Sequence, residues 1–197
     1  MDNANSNSRR DFLKKTTLAG IGATLAGTAS AITVEKNKNS GSGKFTILYT
    51  SDIHAQLHTH DEFFWENGKA VYRKRGGLAV LKTMINHYRK QNPENTILID
   101  GGDYFHGSAV ASLTEGEALI PFLNDIQYDL ILPGNWEVVY KKKKMLYDMG
   151  HSNAAKICAN MWHKTNDSDN GELIYPPYWI KYIAGAKVGF IGYTDHL

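Results

Sequence analysis

Short, β-rich apolar runs alternate along this chain with segments of helical period, and that alternation limits its possible folds more than any other feature. Runs at 45–50, 96–99, 129–132 and 156–159 read as strands. Between them, Leu78, Leu81, Ile85 and Tyr88 recur at helical spacing, and 117–126 and 137–150 read as further helices, with Gly150 a stop signal. The last two runs, 178–183 and 187–193, turn around Gly185-Ala186 and read as a β-hairpin. Strand, helix, strand in this order implies an α/β fold with a largely parallel first sheet. The insertion at 58–74 carries Phe63, Phe64, Trp65 and Tyr72 among charges and is expected to be a loop, either over a site or on the surface. The four lysines at 141–144 point around a helix and are expected on a solvated face.

Three of the strands end in polar residues. The first runs into Ser51-Asp52-Ile53-His54, the second into Asp100-Gly101-Gly102-Asp103-Tyr104-Phe105-His106-Gly107-Ser108, and the third into Pro133-Gly134-Asn135-Trp136-Glu137. Parallel strands deliver all three sets to one sheet edge, where α/β folds bind ligands. Asp52 and His54 sit two apart at a strand end and can turn toward one point. A carboxylate with an imidazole suits Zn, Mn or Fe. Asp103 has two oxygens and can bridge two ions, and Asn135 offers a neutral amide oxygen. Gly101, Gly102, Gly107 and Gly134 permit tight backbone turns nearby. Two adjacent divalent ions activate water and steady in-line displacement of a phosphoryl group.

Composition narrows the partners. The chain has 197 residues, 42% hydrophobic and 21% charged, with a formal net charge of +2. Arg9, Arg10, Lys14 and Lys15 against Asp2 and Asp11 account for that charge, so the remainder is neutral. A basic footprint for nucleic acid is absent. Residues 8–14, Ser-Arg-Arg-Asp-Phe-Leu-Lys, read as a twin-arginine export motif. A mildly apolar stretch follows, too short and Gly-rich to span a membrane, and Ala29-Ser30-Ala31 offers a cleavage site. The expected organisation is a signal peptide at 1–31, a polar linker at 32–43 and a catalytic domain at 44–197. Thr28 stands where a lipoprotein signal would need cysteine, so the membrane enters only through export, toward the periplasm or beyond. The single cysteine, Cys158, excludes an internal disulfide and reads as a small buried hydrophobe.

These motifs resemble the calcineurin-like metallophosphoesterases in their 5′-nucleotidase branch, through Asp52-Ile53-His54, Gly102-Asp103 with Gly107-Ser108, and Gly134-Asn135-x-Glu137, over residues 44–193. The resemblance implies a two-sheet α-β-β-α sandwich, of which this chain carries mostly the first sheet and its helices. It implies that Asp52 and His54 hold a first ion, that Asp103 bridges, and that Asn135 holds a second. The substrate implied is a nucleotide or related phosphomonoester. The family's remaining metal histidines, and its nucleotide-binding C-terminal domain, are expected outside this chain.

Two residues depart from the pattern. The family motif is Gly-Asn-His-Glu, and Trp136 replaces its histidine. The aspartate that pairs with that histidine is here Val139. An indole donates one hydrogen bond but cannot transfer a proton near neutral pH. Trp136-Glu137, together with Asp-Ile-His-Ala-Gln-Leu at 52–57, is similar to the sulfur-oxidation thiosulfohydrolases, although Asn135 follows the nucleotidases. The first expectation is therefore an exported dinuclear-metal phosphohydrolase. The second is a thiosulfohydrolase-like enzyme acting on a thiosulfonate borne by a carrier protein. The third is an inactive fragment or metal-binding interaction module.

The catalytic candidates are Asn135, Trp136 and His106; the last lies in the Asp103 loop and could reach a substrate, but its variable position in the motif ranks it as a supporting residue. His58 and His60 are expected in solvent, and Asp195 and His196 are not expected to be ligands. Trp162, Trp179 and Tyr178 are expected to be core or sheet-surface aromatics. Glu137 reads as the start of a helix, its charge favoured by the helix N-terminus, with a supporting role at the site also open.

Overall fold

The computed structural model describes residues 43–164 and 171–195, all within one unit spanning Asn39–Leu197. The expected signal peptide, and the linker except for Gly43, lie outside the described residues. Among the described residues no helix is long and apolar enough to cross a membrane.

Four strands, β1 (Thr46–Thr50), β4 (Thr96–Asp100), β5 (Leu130–Ile131) and β6 (Ala155–Lys156), form a parallel sheet in the order β1-β4-β5-β6. Its centre is β4, whose side chains are buried on both faces, as parallel strands under two covering layers must be. Leu98 and Ile131 face the helices α1 (Leu78–Arg89), α3 (Ile120–Ile126) and α4 (Lys141–Gly150), which contribute Leu78, Ile85, Leu123, Ile126, Met145 and Met149. Ile97, Ile99, Leu130 and Ile157 form the other face. They pack on Ile183, Trp179, Val188 and Phe190 of the antiparallel hairpin β7 (Tyr178–Ile183) and β8 (Ala186–Ile191). The described residues therefore make a helix layer, a parallel sheet and a two-stranded antiparallel sheet on its other face, the expected α/β class.

Local chemistry explains the departures from expectation. The helix expected at 117–126 divides into a 3-10 turn, Glu117–Leu119, and α3, because Pro121 is confined to a helix's first turn. The helix expected at 137–150 begins only at Lys141, whose φ of 72° breaks it from a 3-10 turn at Trp136–Val138. A short helix, α2 (Ala109–Thr114), follows the second strand loop and is capped by the Ser108 side chain, which accepts from Ala111 N. Among the lysines, Lys141, Lys142 and Lys143 are exposed as expected. Lys144 instead donates to Glu117 at 3.1 Å and to buried Asp148 at 2.8 Å.

The segment expected as a loop at 58–74 is a hairpin, β2 (His60–Glu66) paired with β3 (Lys69–Arg75). Asn67 and Gly68 both take positive φ, 50° and 74°, the two-residue turn whose twist matches its flanking strands. A side chain at Gly68 meets nothing within 4 Å, so Gly68→Ala strains only the backbone. Its expected cost is about 1 kcal/mol, read as faster amide exchange across β2 and β3. Unchanged exchange there would refute the turn assignment.

Candidate metal centre

The site grows from the sheet's register. Thr50 and Asp100 are paired at the ends of β1 and β4, and their loops stay zipped beyond the strands. Gly101 N donates to Thr50 O at 2.8 Å, Asp52 N to Gly102 O at 3.0 Å, His54 N to Asp103 O at 2.9 Å and Ala55 N to Tyr104 O at 3.1 Å. Within this zipper Asp52, His54 and Asp103 all take left-handed backbone, with φ of 56°, 47° and 60°. Such conformations cost on the order of 1 kcal/mol each and cluster at functional sites.

The outcome is convergence. One ligand atom from each of Asp52, His54 and Asp103 lies within 4.8 Å of the others, with His54 Nε2 3.7 Å from Asp52 Oδ1. Asp103 is buried, His54 half-buried and Asp52 exposed, so the cluster opens to solvent on one side. Two carboxylates and an imidazole suit a divalent transition ion, and the described residues fit one.

The third loop closes around Asp103. Trp136 N donates to Asp103 Oδ1 at 2.8 Å, which sets Asn135 beside the bridging candidate. Asn135 lines a cleft of about 210 Å³ with Gly134, Asn160, Trp162, Thr194 and Asp195. Trp162, expected as core or sheet surface, thus sits half-exposed in this cleft, whereas Trp179 joins the core and Tyr178 lies on the hairpin's outer face. His60 pairs with Glu62 at 3.0 Å on the β2–β3 hairpin, and His58 is exposed, both as expected. Cys158 is buried, as expected, and donates to Asn160 Oδ1. His196 lies outside the described residues.

Two buried carboxylates organise the site: Glu137, for which the sequence leaves a supporting role open, and Asp100, which it does not single out. Glu137 is 3% exposed. Its Oε2 accepts from Asp103 N at 2.8 Å and Gly134 N at 2.5 Å, and its Oε1 from Tyr104 N at 2.6 Å and Phe105 N at 3.3 Å. Burial pushes its pKa above the ordinary carboxylate range, and the backbone donors offset part of that rise. Asp100 accepts from Thr50 Oγ1 at 2.6 Å and from Gly102 N at 2.9 Å. Burial pushes Asp100 up to about 7, against those two hydrogen bonds.

Trp136 and His106 form a pair beside the cluster. Their rings stack at 4.7 Å with 7° between planes, and the His106 ring meets His54 edge-on at 6.4 Å.

Comparison with known proteins agrees with this geometry. The chain is 31% identical over 157 residues to the snake venom 5′-nucleotidase of Gloydius brevicauda, covering 79% of this chain and 26% of that protein. In fold it is similar to the NAD nucleotidase of Haemophilus influenzae, with a TM-score of 0.67 at 23% identity, over 76% of this chain and 29% of that one. It is also similar in fold to the sulfate thiohydrolase SoxB of Thermus thermophilus, with a TM-score of 0.65 at 20% identity, over 77% of this chain and 35% of that one. The chain thus spans about a quarter to a third of the length of these relatives. The family described as calcineurin-like phosphoesterase matches residues 45–188, and the chain belongs to that family.

Proposed function

We propose that this chain forms the metal-binding part of an exported, dinuclear-metal hydrolase of 5′-nucleotidase type, acting on nucleotides or related phosphomonoesters. The observation that carries the reading is the convergence of Asp52, His54 and Asp103 on one point at the carboxyl edge of the sheet. Asp52 and His54 would hold one ion, Asp103 would bridge, and Asn135 would hold the second. When bound, such ions supply Lewis-acid polarisation of the phosphoryl group and ease deprotonation of the attacking water. The chain's own contribution is positional. The zipped loops hold Asp52 and His54 against Asp103, and the Glu137 carboxylate anchors the loop that carries Asp103. Further recognition of substrate would come from a nucleotide-binding C-terminal domain. The twin-arginine motif at 8–14 supports export and suits a protein that acquires its metal before crossing the membrane.

Metal analysis of the purified full-length protein, followed by assay on nucleotides and p-nitrophenyl phosphate, tests this reading. Two divalent ions per chain with phosphate release are expected. One ion or none, with no hydrolysis, would leave the interaction-module alternative. Asp103→Asn is expected to reduce metal affinity by more than the roughly 10–100-fold typical of an outer-shell partner. Full occupancy in that variant would remove Asp103 from the ligand set.

A second reading draws support from Trp136-Glu137 and from residues 52–57, the features shared with thiosulfohydrolases. The substrate would then be a thiosulfonate on a sulfur-carrier protein. Sulfate release from such a carrier, with no turnover of nucleotides, would select this reading over the first.

A further inference from the structure

The residue that departs from the family motif, Trp136, does not stand alone. Its indole lies flat against the imidazole of His106 at 4.7 Å, with 7° between planes. Two further rings lie near His106: Tyr140, tilted at 6.1 Å, and His54, a metal-ligand candidate, met edge-on at 6.4 Å. Backbone packing sets this position as well. A Cβ on Gly107 would lie 2.7 Å from His54 Cβ and from His54 O, so the peptide next to His106 is pinned against the ligand loop. His106 Nδ1 is buried with no protein partner. With Nδ1 enclosed, Nε2 is the nitrogen left to meet a ligand.

We propose that His106 contacts the substrate directly, donating a hydrogen bond from Nε2–H to a non-bridging oxygen of the phosphoryl group, and that Trp136 is the positioning residue that holds the imidazole plane. This rests on the phosphoesterase reading above. A neutral imidazole carries the required N–H, so no proton transfer is involved. The indole itself is 38% exposed and supplies its flat face rather than a proton. Parallel stacking restrains the imidazole plane, and a donor held in place meets its acceptor at lower entropic cost.

The test uses the full chain loaded with divalent metal and orthophosphate as the probe, with calorimetry for binding and metal analysis beside it. His106→Ala is expected to weaken orthophosphate binding by at least 10-fold and to lower kcat/KM on p-nitrophenyl phosphate by on the order of 10²-fold. Its metal content should stay at the wild-type level. His106→Gln restores an N–H donor and should recover much of the phosphate affinity. Trp136→Ala should weaken phosphate binding in the native background and have little further effect in the His106→Ala background, because the two residues act as one unit. Wild-type phosphate affinity in His106→Ala, no recovery in His106→Gln, or additive losses at 106 and 136 would each overturn the proposal. A wild-type chain that loads two ions yet binds no orthophosphate would also overturn it while sparing the metal reading. Failure to load metal at all would defeat the phosphoesterase reading, and this inference with it.

Discussion

Replacing Glu137 by alanine is expected to destabilise the protein by about 4 kcal/mol and to abolish metal uptake. The side chain is buried, and its two oxygens accept four backbone N–H groups, from Asp103, Tyr104, Phe105 and Gly134. Alanine strands all four. A buried donor left without a partner costs roughly 1–3 kcal/mol, and water entering the vacated space recovers part of the total. Glutamine is not a rescue. One amide oxygen keeps two of the donors, but the –NH₂ group would then aim its hydrogens at the other two. Glu137→Gln should therefore fall between wild type and Glu137→Ala in stability, and Asp103 should lose its fixed position in both. Chemical denaturation and metal analysis read the two effects separately. A glutamine variant as stable and as metal-replete as wild type would show that the four donors do not depend on this carboxylate.

The second large effect is a dependence of stability on pH that resides in Asp100. Its ordinary value of 3.8 is raised to about 7 in the folded protein, mainly by burial. The folded state therefore holds a proton that the unfolded chain releases, and Asp100's contribution to stability is complete below about pH 4. That contribution declines as pH rises and is lost through about 7. The shift corresponds to about 4 kcal/mol. Metal-free protein should melt at a lower temperature at pH 8 than at pH 5. Asp100→Asn, which mimics the protonated acid, should flatten much of that slope. The amide oxygen can still accept from Gly102 N, and the amide group can donate to Thr50 Oγ1, which also bonds the Tyr128 hydroxyl. Equal slopes in the two proteins would exclude Asp100 as the source.

The candidate ligands were legible in the sequence because their information is local. Asp52, His54, Asp103 and Asn135 follow apolar runs that read as strands, and parallel pairing delivers them to one edge. The layers were legible for the same reason, since Ile97, Ile99 and Leu98 announce a strand buried on both faces. For Glu137 the sequence leaves open both a helix start and a supporting role at the site, because the backbone groups that decide between them lie more than thirty residues earlier. Asp100 depends likewise on Thr50, fifty residues away. The β2–β3 hairpin did leave a signal, Asn67-Gly68 between two strand-length segments. Its strands were hidden by interleaved charges, because the hairpin pairs with itself instead of joining the parallel sheet. Lys144 departs from the solvated face for a related reason: it pairs with Asp148 on its own helix and ties that helix to Glu117 of the 3-10 turn before α3.

The left-handed backbone at Asp52, His54 and Asp103 restricts how this site can evolve. Asparagine, aspartate and histidine are the side chains that best tolerate positive φ while carrying a metal donor. Cysteine and glutamate, the other common donors, fit that conformation less well. Exchange at these three positions is therefore channelled through a small alphabet, in which aspartate can drift to asparagine or histidine at little conformational cost. The fold that brings the ligands together thus also biases the site toward oxygen and imidazole donors and away from thiolate. It narrows the range of ions that any descendant of this chain could readily come to prefer.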